Sequence, residues 1–282
     1  MTRRAVNYLY LGLTRAALLV CAAILFCLIL AIVWQGAKAI SLDFLISRAR
    51  DFGTSGGIGF QILGSLLIVI TAAILVLPFA IGTAVYRQSY IQSARIEDAL
   101  DTILYALNAI PSVTYGIFGL IFFVNIMGTG LSWFVGSMIL AMMMLPTVTL
   151  ASHAAMQSLP SGYAQNAAAL GLSRGQIVRR VILPQSAHGI VTGLLIALAR
   201  AIGETAPIMF IATAFSGTGI PRSLLEPVAT LPTHILALAQ QSTDPQALQN
   251  AWGASLTLVA FVALFSALAF FARRHLNKLS QR

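Results

Sequence analysis

An arginine and a glutamate lie in the middle of an otherwise apolar stretch, in the sequence RAIGETAP at residues 200–207. Arg200 and Glu204 are the only charged residues between Arg180 and Arg222. An ionisable side chain inside a membrane span costs about 2.5 kcal/mol or more unless it faces protein or water. Residues four apart lie on one face of a helix and can form an ion pair. The pattern therefore indicates either a structural ion pair that pins the helix or a charged site on a polar path.

The second alternative describes a site for an anion. Arg200 supplies a permanent positive charge and a planar set of donors that matches an oxyanion. Monohydrogen phosphate carries a proton that it can donate to a carboxylate, whereas sulfate does not, so Glu204 would accept from phosphate and repel sulfate. With the neighbouring Thr205, these residues are the candidate substrate-path residues of this segment.

A second polar group surrounds Pro111, where Asn108 and Ser112 interrupt an apolar run. Polar side chains in a helical bundle either line a path or form hydrogen bonds to neighbouring helices. Both interpretations stay open from the residues alone, and Asn108 and Ser112 are further candidates for the path.

A polar segment at residues 159–184 reads LPSGYAQNAAALGLSRGQIVRRVILP. We predict a short helix that ends at Gly171 in a left-handed cap, because glycine adopts that conformation without strain. Ser173 followed by Gln176 is a capping-box pattern that opens a second short helix, which we expect to stop before Pro184. The segment carries Arg174, Arg179 and Arg180, so it either lies on anionic lipid or docks on a protein.

The sequence contains no pattern typical of an enzyme active site. Its only lysines, Lys38 and Lys278, do not belong to a G-x-x-x-x-G-K-[ST] motif, so ATP hydrolysis would require another polypeptide. Cys21 and Cys27 have no accompanying histidine and are interpreted as small apolar residues. We predict no metal site, no cofactor bound by this chain and no catalytic residue.

The composition indicates that the segments above belong to a membrane protein. Of the 282 residues, 58% are hydrophobic and 9% charged, whereas soluble domains contain about 25% charged residues. The net charge of +9 is explained by loop charges that orient membrane helices, and no basic patch interleaved with aromatic residues indicates a nucleic-acid partner.

The apolar runs predict an all-α polytopic protein with a single domain and six transmembrane helices. Charge counting places both termini in the cytoplasm, because twelve of the arginines and lysines then lie on inside segments and four lie outside. Between the third and fourth helices, Gly128 and Gly130 mark a tight turn. The predicted spans are residues 16–37, 62–86, 103–127, 131–153, 187–214 and 251–271.

The loop at 159–184 resembles the EAA loop of bacterial ABC importer permeases, in the spacing from its alanine-rich turn through Gly171 to Val181-Ile182-Leu183-Pro184. In that family the loop is a coupling helix that docks on the ATPase subunit. The family has an acidic residue at the start of the motif, where this chain has glutamine. The resemblance therefore implies ATPase-coupling residues at Gln165, Asn166, Ala167, Ala168, Gly171, Arg174, Arg179 and Arg180.

The sequence TGLLIALARAIGETAP strongly resembles the fifth-helix signature of the PstA family, permease subunits of phosphate-specific ABC importers. Further similar segments, in the same order, are GGIGFQILGSLLIV, NAIPSVTYGIFG and LPTHILALA. The resemblance implies a type I importer permease (MetI-like) fold in the bacterial inner membrane. It also implies a PstC-like permease as heterodimer partner, a PstB-like ATPase dimer that binds ATP and Mg, and a PstS-like periplasmic phosphate-binding protein.

Alternatives to a phosphate permease remain. The closest is a related permease for sulfate, molybdate or another oxyanion. A passive anion channel would conduct without ATP or partners, and a membrane-anchored sensory scaffold would leave uptake unaffected when deleted.

Overall fold

The computed structural model describes residues 3–213, 219–241 and 243–279, with side chains from residue 10 to 271 and at 274. Apart from loops, the described residues form helices and one short β-hairpin. The helices are α1 Arg3–Gly36, α2 Leu42–Ile46, α3 Gly59–Ser89, α4 Ala94–Ala109, α5 Ser112–Gly119, α6 Trp133–Gln157, α7 Ser161–Ala169, α8 Arg174–Ile177, α9 Leu183–Ala201, α10 Ala206–Ile211, α11 Leu231–Gln240 and α12 Pro245–Leu279.

The core lies where α3, α6 and α9 pack together. Small residues allow the backbones of α6 and α9 to approach closely: Gly193 faces the methyl group of Ala151, and Gly189 faces that of Ala155. Lipid is as apolar as these side chains, so close van der Waals packing rather than the hydrophobic effect holds such helices together.

Helix α12 packs on α9 at the edge of this core, and α1 lies outside it. They contact each other near Gly36, which meets Leu256 and the carbonyl of Trp252. Most of the other described side chains of α1 are exposed and apolar. A helix that is apolar on all sides and unburied is expected to face lipid or another membrane subunit.

Within the described residues, five helices are long and apolar enough to cross a membrane, and a bent pair of helices would make a sixth span. The predicted span at 103–127 corresponds to this pair, and at Pro111 it is broken into two helices. Helix α4 ends at Ala109, and the segment Ser112–Ile126 runs at 89° to it. The helix breaks at Pro111, because the residue before a proline is disfavoured in helical geometry and proline has no amide hydrogen to donate. The segment ends in a π-helical stretch, Leu120–Ile126.

The other long helices cover the remaining predicted spans with different ends. The tight turn before α6 is confirmed, with Gly128 and Gly130 both at positive φ. The predicted span at 187–214 differs most, because the continuous helix begins at Arg174 and ends at Ala201; residue 214 lies outside the described residues.

The expectation that a short helix stops before Pro184 is wrong. Helix α8 continues through a π-helical stretch, Val178–Ile182, into α9. Pro184 occupies the first turn of α9, where its missing amide hydrogen costs little. The π-helical stretch, which has wider turns than an α-helix, allows the helix to continue through Pro184.

At the end of the bundle where α3 and α6 begin, two shorter elements cover the core. Strands β1 Ala49–Arg50 and β2 Ser55–Gly56 pair in an antiparallel hairpin. Helix α11 packs on α12 and α3, with His234 buried, so this segment is packed on the bundle.

Candidate functional site

Arg200 and Glu204 form an ion pair, with 3.5 Å between the Arg200 Nε and a Glu204 carboxylate oxygen. The ion pair that the spacing of four allows is formed, but it lies at the end of a helix rather than inside one. Arg200 lies in the last turn of α9, and Glu204 lies beyond the end of that helix. The Arg200 side chain is 55% exposed and that of Glu204 is 16% exposed, so the arginine is on the open surface of the chain.

The backbone around this pair leaves helical geometry between Ala201 and Ala206. Pro207 has no amide hydrogen to donate to the carbonyl of Gly203, which would be its partner in a continuous helix. The Thr205 hydroxyl donates to that carbonyl instead, at 3.4 Å. The Gly203 amide turns back to the carbonyl of Arg200 at 3.1 Å. Non-helical backbone at membrane depth is tolerated only where it is buried in protein or lines a water-filled cavity.

A small recess opens beside the ion pair. It is lined by Leu140, Met143, Met144, Thr147, Ala197, Arg200, Ala201 and Glu204. Its volume is about 10 Å³, room for one water at most. An oxyanion therefore does not fit in this recess, and it would meet Arg200 from the exposed side.

The second polar group lies at the other break, around Pro111. Asn108 is exposed and Ser112 is half-buried. The Tyr115 hydroxyl donates to the carbonyl of Leu107 at 2.8 Å and so bridges the bend from one helix to the next. This hydrogen bond satisfies a carbonyl in the last turn of α4.

The two broken segments pack against each other through α5 and α10. Gly116 makes the contact possible, because a Cβ at this position would lie 2.9 Å from the Cα of Pro207. Among the described residues no hydrogen bond joins Asn108 or Ser112 to Arg200 or Glu204. The structure packs α5, which begins at Ser112, against α10, which begins directly after Thr205, and no hydrogen bond joins the two groups of candidates.

The segment at 159–184 folds as the predicted pair of short helices, α7 and α8. Gly171 lies between them at φ +82°, and the Gln176 side chain accepts from the Ser173 amide at 2.9 Å. Ala167 is buried beneath α7. The other candidate coupling side chains are exposed, namely Gln165, Asn166, Ala168, Arg174, Arg179 and Arg180. The segment follows the end of α6 and so lies at the end of the bundle opposite the hairpin.

Comparison with known proteins identifies the family. Residues 77–281 match the family described as "Binding-protein-dependent transport system inner membrane component". The chain belongs to this family. It is a permease, the transmembrane and non-catalytic subunit of an ABC importer, and such an importer includes an ATPase and a binding protein.

Several proteins are similar to the permease over most of their length. It is 29% identical over 278 residues to "Probable ABC transporter permease protein YqgI" of Bacillus subtilis, with 94% of each chain covered. It is 34% identical over 246 residues to "Probable phosphate transport system permease protein PstA" of Methanocaldococcus jannaschii, covering 86% and 84% of the two chains. The PstA of Haemophilus influenzae is 28% identical over 270 residues, with 95% of each chain covered.

Solved structures share the fold. The permease matches a chain of a bacterial alginate ABC transporter in complex with its periplasmic protein with a TM-score of 0.67, at 17% identity and 96% coverage of both chains. A chain of the inward-facing MetNI methionine transporter gives a TM-score of 0.57 at 18% identity, covering 79% of the permease and 94% of that chain. The predicted fold class, an all-α type I ABC importer permease, is therefore confirmed.

The sequence analysis missed one charged cluster of the permease. Arg87, at the end of α3, forms a two-pronged ion pair with Asp101 of α4, and a second contact of 3.4 Å with Glu97. The Arg87 side chain is only 11% exposed. The spacing of Glu97 and Asp101, four apart on an amphipathic helix, was the available signal. This cluster ties the start of the bent segment to the end of α3.

Within the described ranges, no group of three or more histidine, cysteine, aspartate or glutamate side chains is arranged to hold a metal ion. Cys21 and Cys27 are both exposed on α1.

Proposed function

We propose that the chain is the PstA-like permease subunit of a phosphate-specific importer, and that Arg200 and Glu204 lie on the phosphate path. The ion pair beside a break in an exposed helix end is the observation that carries this proposal. Relatives that are 28–34% identical and described as phosphate permeases support the choice of substrate.

The open position of Arg200 supports a path between two permeases. An arginine that is 55% exposed at membrane depth needs water or protein around it. The recess behind it is too small for an oxyanion. A second, PstC-like permease packed across this surface would enclose a water-filled path with the arginine on its wall.

Both charges of the pair have a role in this proposal. Arg200 attracts the anion through its guanidinium fork. Glu204 accepts the proton of monohydrogen phosphate, a contact that sulfate cannot make. Glu204 also competes for Arg200, so the anion is held weakly enough to leave. The pair stays together when the path is empty and separates when phosphate passes.

The opposite surface supports coupling to ATP. The helices α7 and α8 form an exposed knob joined by Gly171, and α8 continues without a break towards Arg200. A PstB-like ATPase that grips this knob would move α9 as a unit. With both termini cytoplasmic, a PstS-like protein would deliver phosphate to the other end, and the two permeases would alternate their access.

The experiment measures uptake of labelled phosphate by the assembled complex carrying Arg200→Ala, Arg200→Lys or Glu204→Gln. We expect roughly a tenfold or greater loss of uptake for Arg200→Ala, partial uptake for Arg200→Lys, and weaker discrimination against sulfate for Glu204→Gln. Co-purification of the ATPase and the second permease reports assembly. Arg95→Gln, which removes an exposed charge in the first turn of α4, is the matched control and should leave uptake unchanged.

Other results would favour the alternatives. Lost assembly in both Arg200 variants would favour a purely structural ion pair. Unchanged uptake and unchanged selectivity in Glu204→Gln would contradict its role in recognition. Stronger inhibition of uptake by sulfate or molybdate than by unlabelled phosphate would assign another oxyanion, and conductance by the isolated chain would favour a passive channel.

A further inference from the structure

The tip of the hairpin holds two non-glycine residues in the left-handed region. Asp51 has φ +47° and Phe52 has φ +57°, and Gly53 follows at φ +95°. A bulky residue at positive φ is strained, and this conformation persists only where the surrounding structure holds it.

Buried contacts from two helices hold this tip. Gly53 lies directly against the imidazole of His234 in α11, leaving no room for a Cβ. The side-chain amide of Asn250 in α12 donates to the carbonyls of Gly53 and Thr54, at 3.0 Å each. His234 and Asn250 are both buried. The strained conformation is therefore imposed by tertiary packing.

Contacts within the turn complete its rigidity. The Ser55 hydroxyl donates to the Asp51 carboxylate at 2.6 Å, and the Thr54 hydroxyl donates to the Asp51 carbonyl at 2.9 Å. The result is a preorganised tip rather than a flexible loop.

This rigid tip presents an aromatic side chain to the surroundings. Phe52 is 70% exposed, and Arg50 and Asp51 beside it are also exposed. An aromatic ring flanked by charged groups is typical of an anchor residue in a protein interface. The comparable Phe79, 68% exposed in the middle of α3, lies among apolar residues as expected of a lipid-facing side chain.

The tip also continues into a neighbouring exposed loop. The Arg48 guanidinium lies against Gly219 and over the ring of Phe60, with its central carbon 4.7 Å from the ring centroid. Beyond Gly219, the loop exposes Leu224 and Leu225. Hairpin and loop thus form one surface at the end of the bundle opposite α7 and α8.

We propose that Phe52 is an anchor for the soluble binding protein of this transporter. The family depends on such a protein, and the end that carries α7 and α8 is the one assigned to the ATPase. The assignment of ends rests on the proposed function, whereas the contact does not depend on the identity of the substrate. The rigid tip allows the ring to bind without first being ordered, which favours affinity.

The test uses the complete transporter in nanodiscs and its own binding protein. Phe52→Ala should raise the Kd for the binding protein roughly tenfold or more, and raise by a similar factor the concentration that half-stimulates ATP hydrolysis. ATP hydrolysis without binding protein and thermal stability should not fall, because alanine is less strained than phenylalanine at this φ. Phe79→Ala is the matched control and should change neither quantity.

A photo-crosslinking amino acid in place of Phe52 identifies the neighbour directly. Adducts with the binding protein support the proposal, whereas adducts only with lipid or with the second permease would overturn it. An unchanged Kd for Phe52→Ala, or an equal loss for Phe79→Ala, would also overturn it. Failure of the phosphate proposal has a different result: the binding protein still docks through Phe52, but the cargo transported is not phosphate.

Discussion

The contact between the two broken segments gives a sharp prediction at Gly116. In Gly116→Ala the new methyl carbon would lie 2.9 Å from the Cα of Pro207 and from a ring carbon of Phe210. Carbon atoms pack best about 3.5–4.0 Å apart, so α5 and α10 would have to separate by roughly 0.6–1.1 Å. The Phe210 ring can rotate, but the Pro207 backbone cannot. Overpacking of this kind costs about 1–3 kcal/mol.

The displacement reaches the ion pair because Pro207 is three residues beyond Glu204. A misplacement of about 1 Å can lower a rate by about a hundredfold. We therefore expect Gly116→Ala to lower substrate uptake by roughly ten- to a hundredfold, with the complex still assembled. Uptake by reconstituted complex and the Tm of the purified complex measure the two effects.

Gly82→Ala provides the matched control on α3. A Cβ at Gly82 meets nothing within 4 Å, so alanine should raise helix stability by about 0.5–1 kcal/mol and leave uptake unchanged. If Gly116→Ala and Gly82→Ala gave equal uptake and equal Tm, the contact between α5 and α10 would not position the ion pair, and the reasoning would be refuted.

Three further predictions concern stability and coupling. Arg87→Gln should lower the free energy of unfolding by about 1–3 kcal/mol, because Asp101 loses its charged partner. Arg95→Gln, at an exposed position, should change the free energy of unfolding by less than about 0.5 kcal/mol. Equal Tm values for the two variants would contradict this prediction. Burial lowers the pKa of His234 from 6.5 to about 4, so the unfolded chain binds a proton between these pH values that the folded chain does not, and stability falls as the pH is lowered through this range. His234→Asn should reduce the difference in Tm between roughly pH 7 and pH 5. An unchanged difference would contradict the assignment of this pH dependence to His234. Gly171→Val should impair uptake driven by ATP, because valine is strained at φ +82°, while the isolated permease stays folded, because the space around this position is open. The measurement is ATP hydrolysis stimulated by the binding protein. Full stimulation in the variant would contradict coupling through this turn.

Local signals predicted much of the fold. The charge-free run at 16–37 predicted a helix, and α1 contains it. Gly128, Gly130 and Gly171 predicted turns with positive φ, and each adopts it. These features depend on hydropathy or on the conformational freedom of single glycines, both of which are properties of a few neighbouring residues.

The bend at Pro111 could not be predicted in the same way. The run at 103–127 is uniformly uncharged, so hydropathy favoured one helix. Its first part instead lies in α4, which the Arg87–Asp101 ion pair holds against the end of α3. Partners separated by many residues in the chain leave no periodic signal in either segment.

The sequence by itself determined that this protein is a helical membrane protein and that Arg200 and Glu204 are spaced to form an ion pair in an apolar setting. Composition establishes the first and the spacing of four establishes the second. Only the tertiary structure decided that α9 ends at this pair, that α10 packs on α5, and that Phe52 is held in a strained turn. These features arise where backbone groups leave helical geometry and obtain partners from distant parts of the chain, such as Asn250 for the carbonyl of Gly53. These partners are adjacent only after the helices have packed, so no local sequence pattern predicts them.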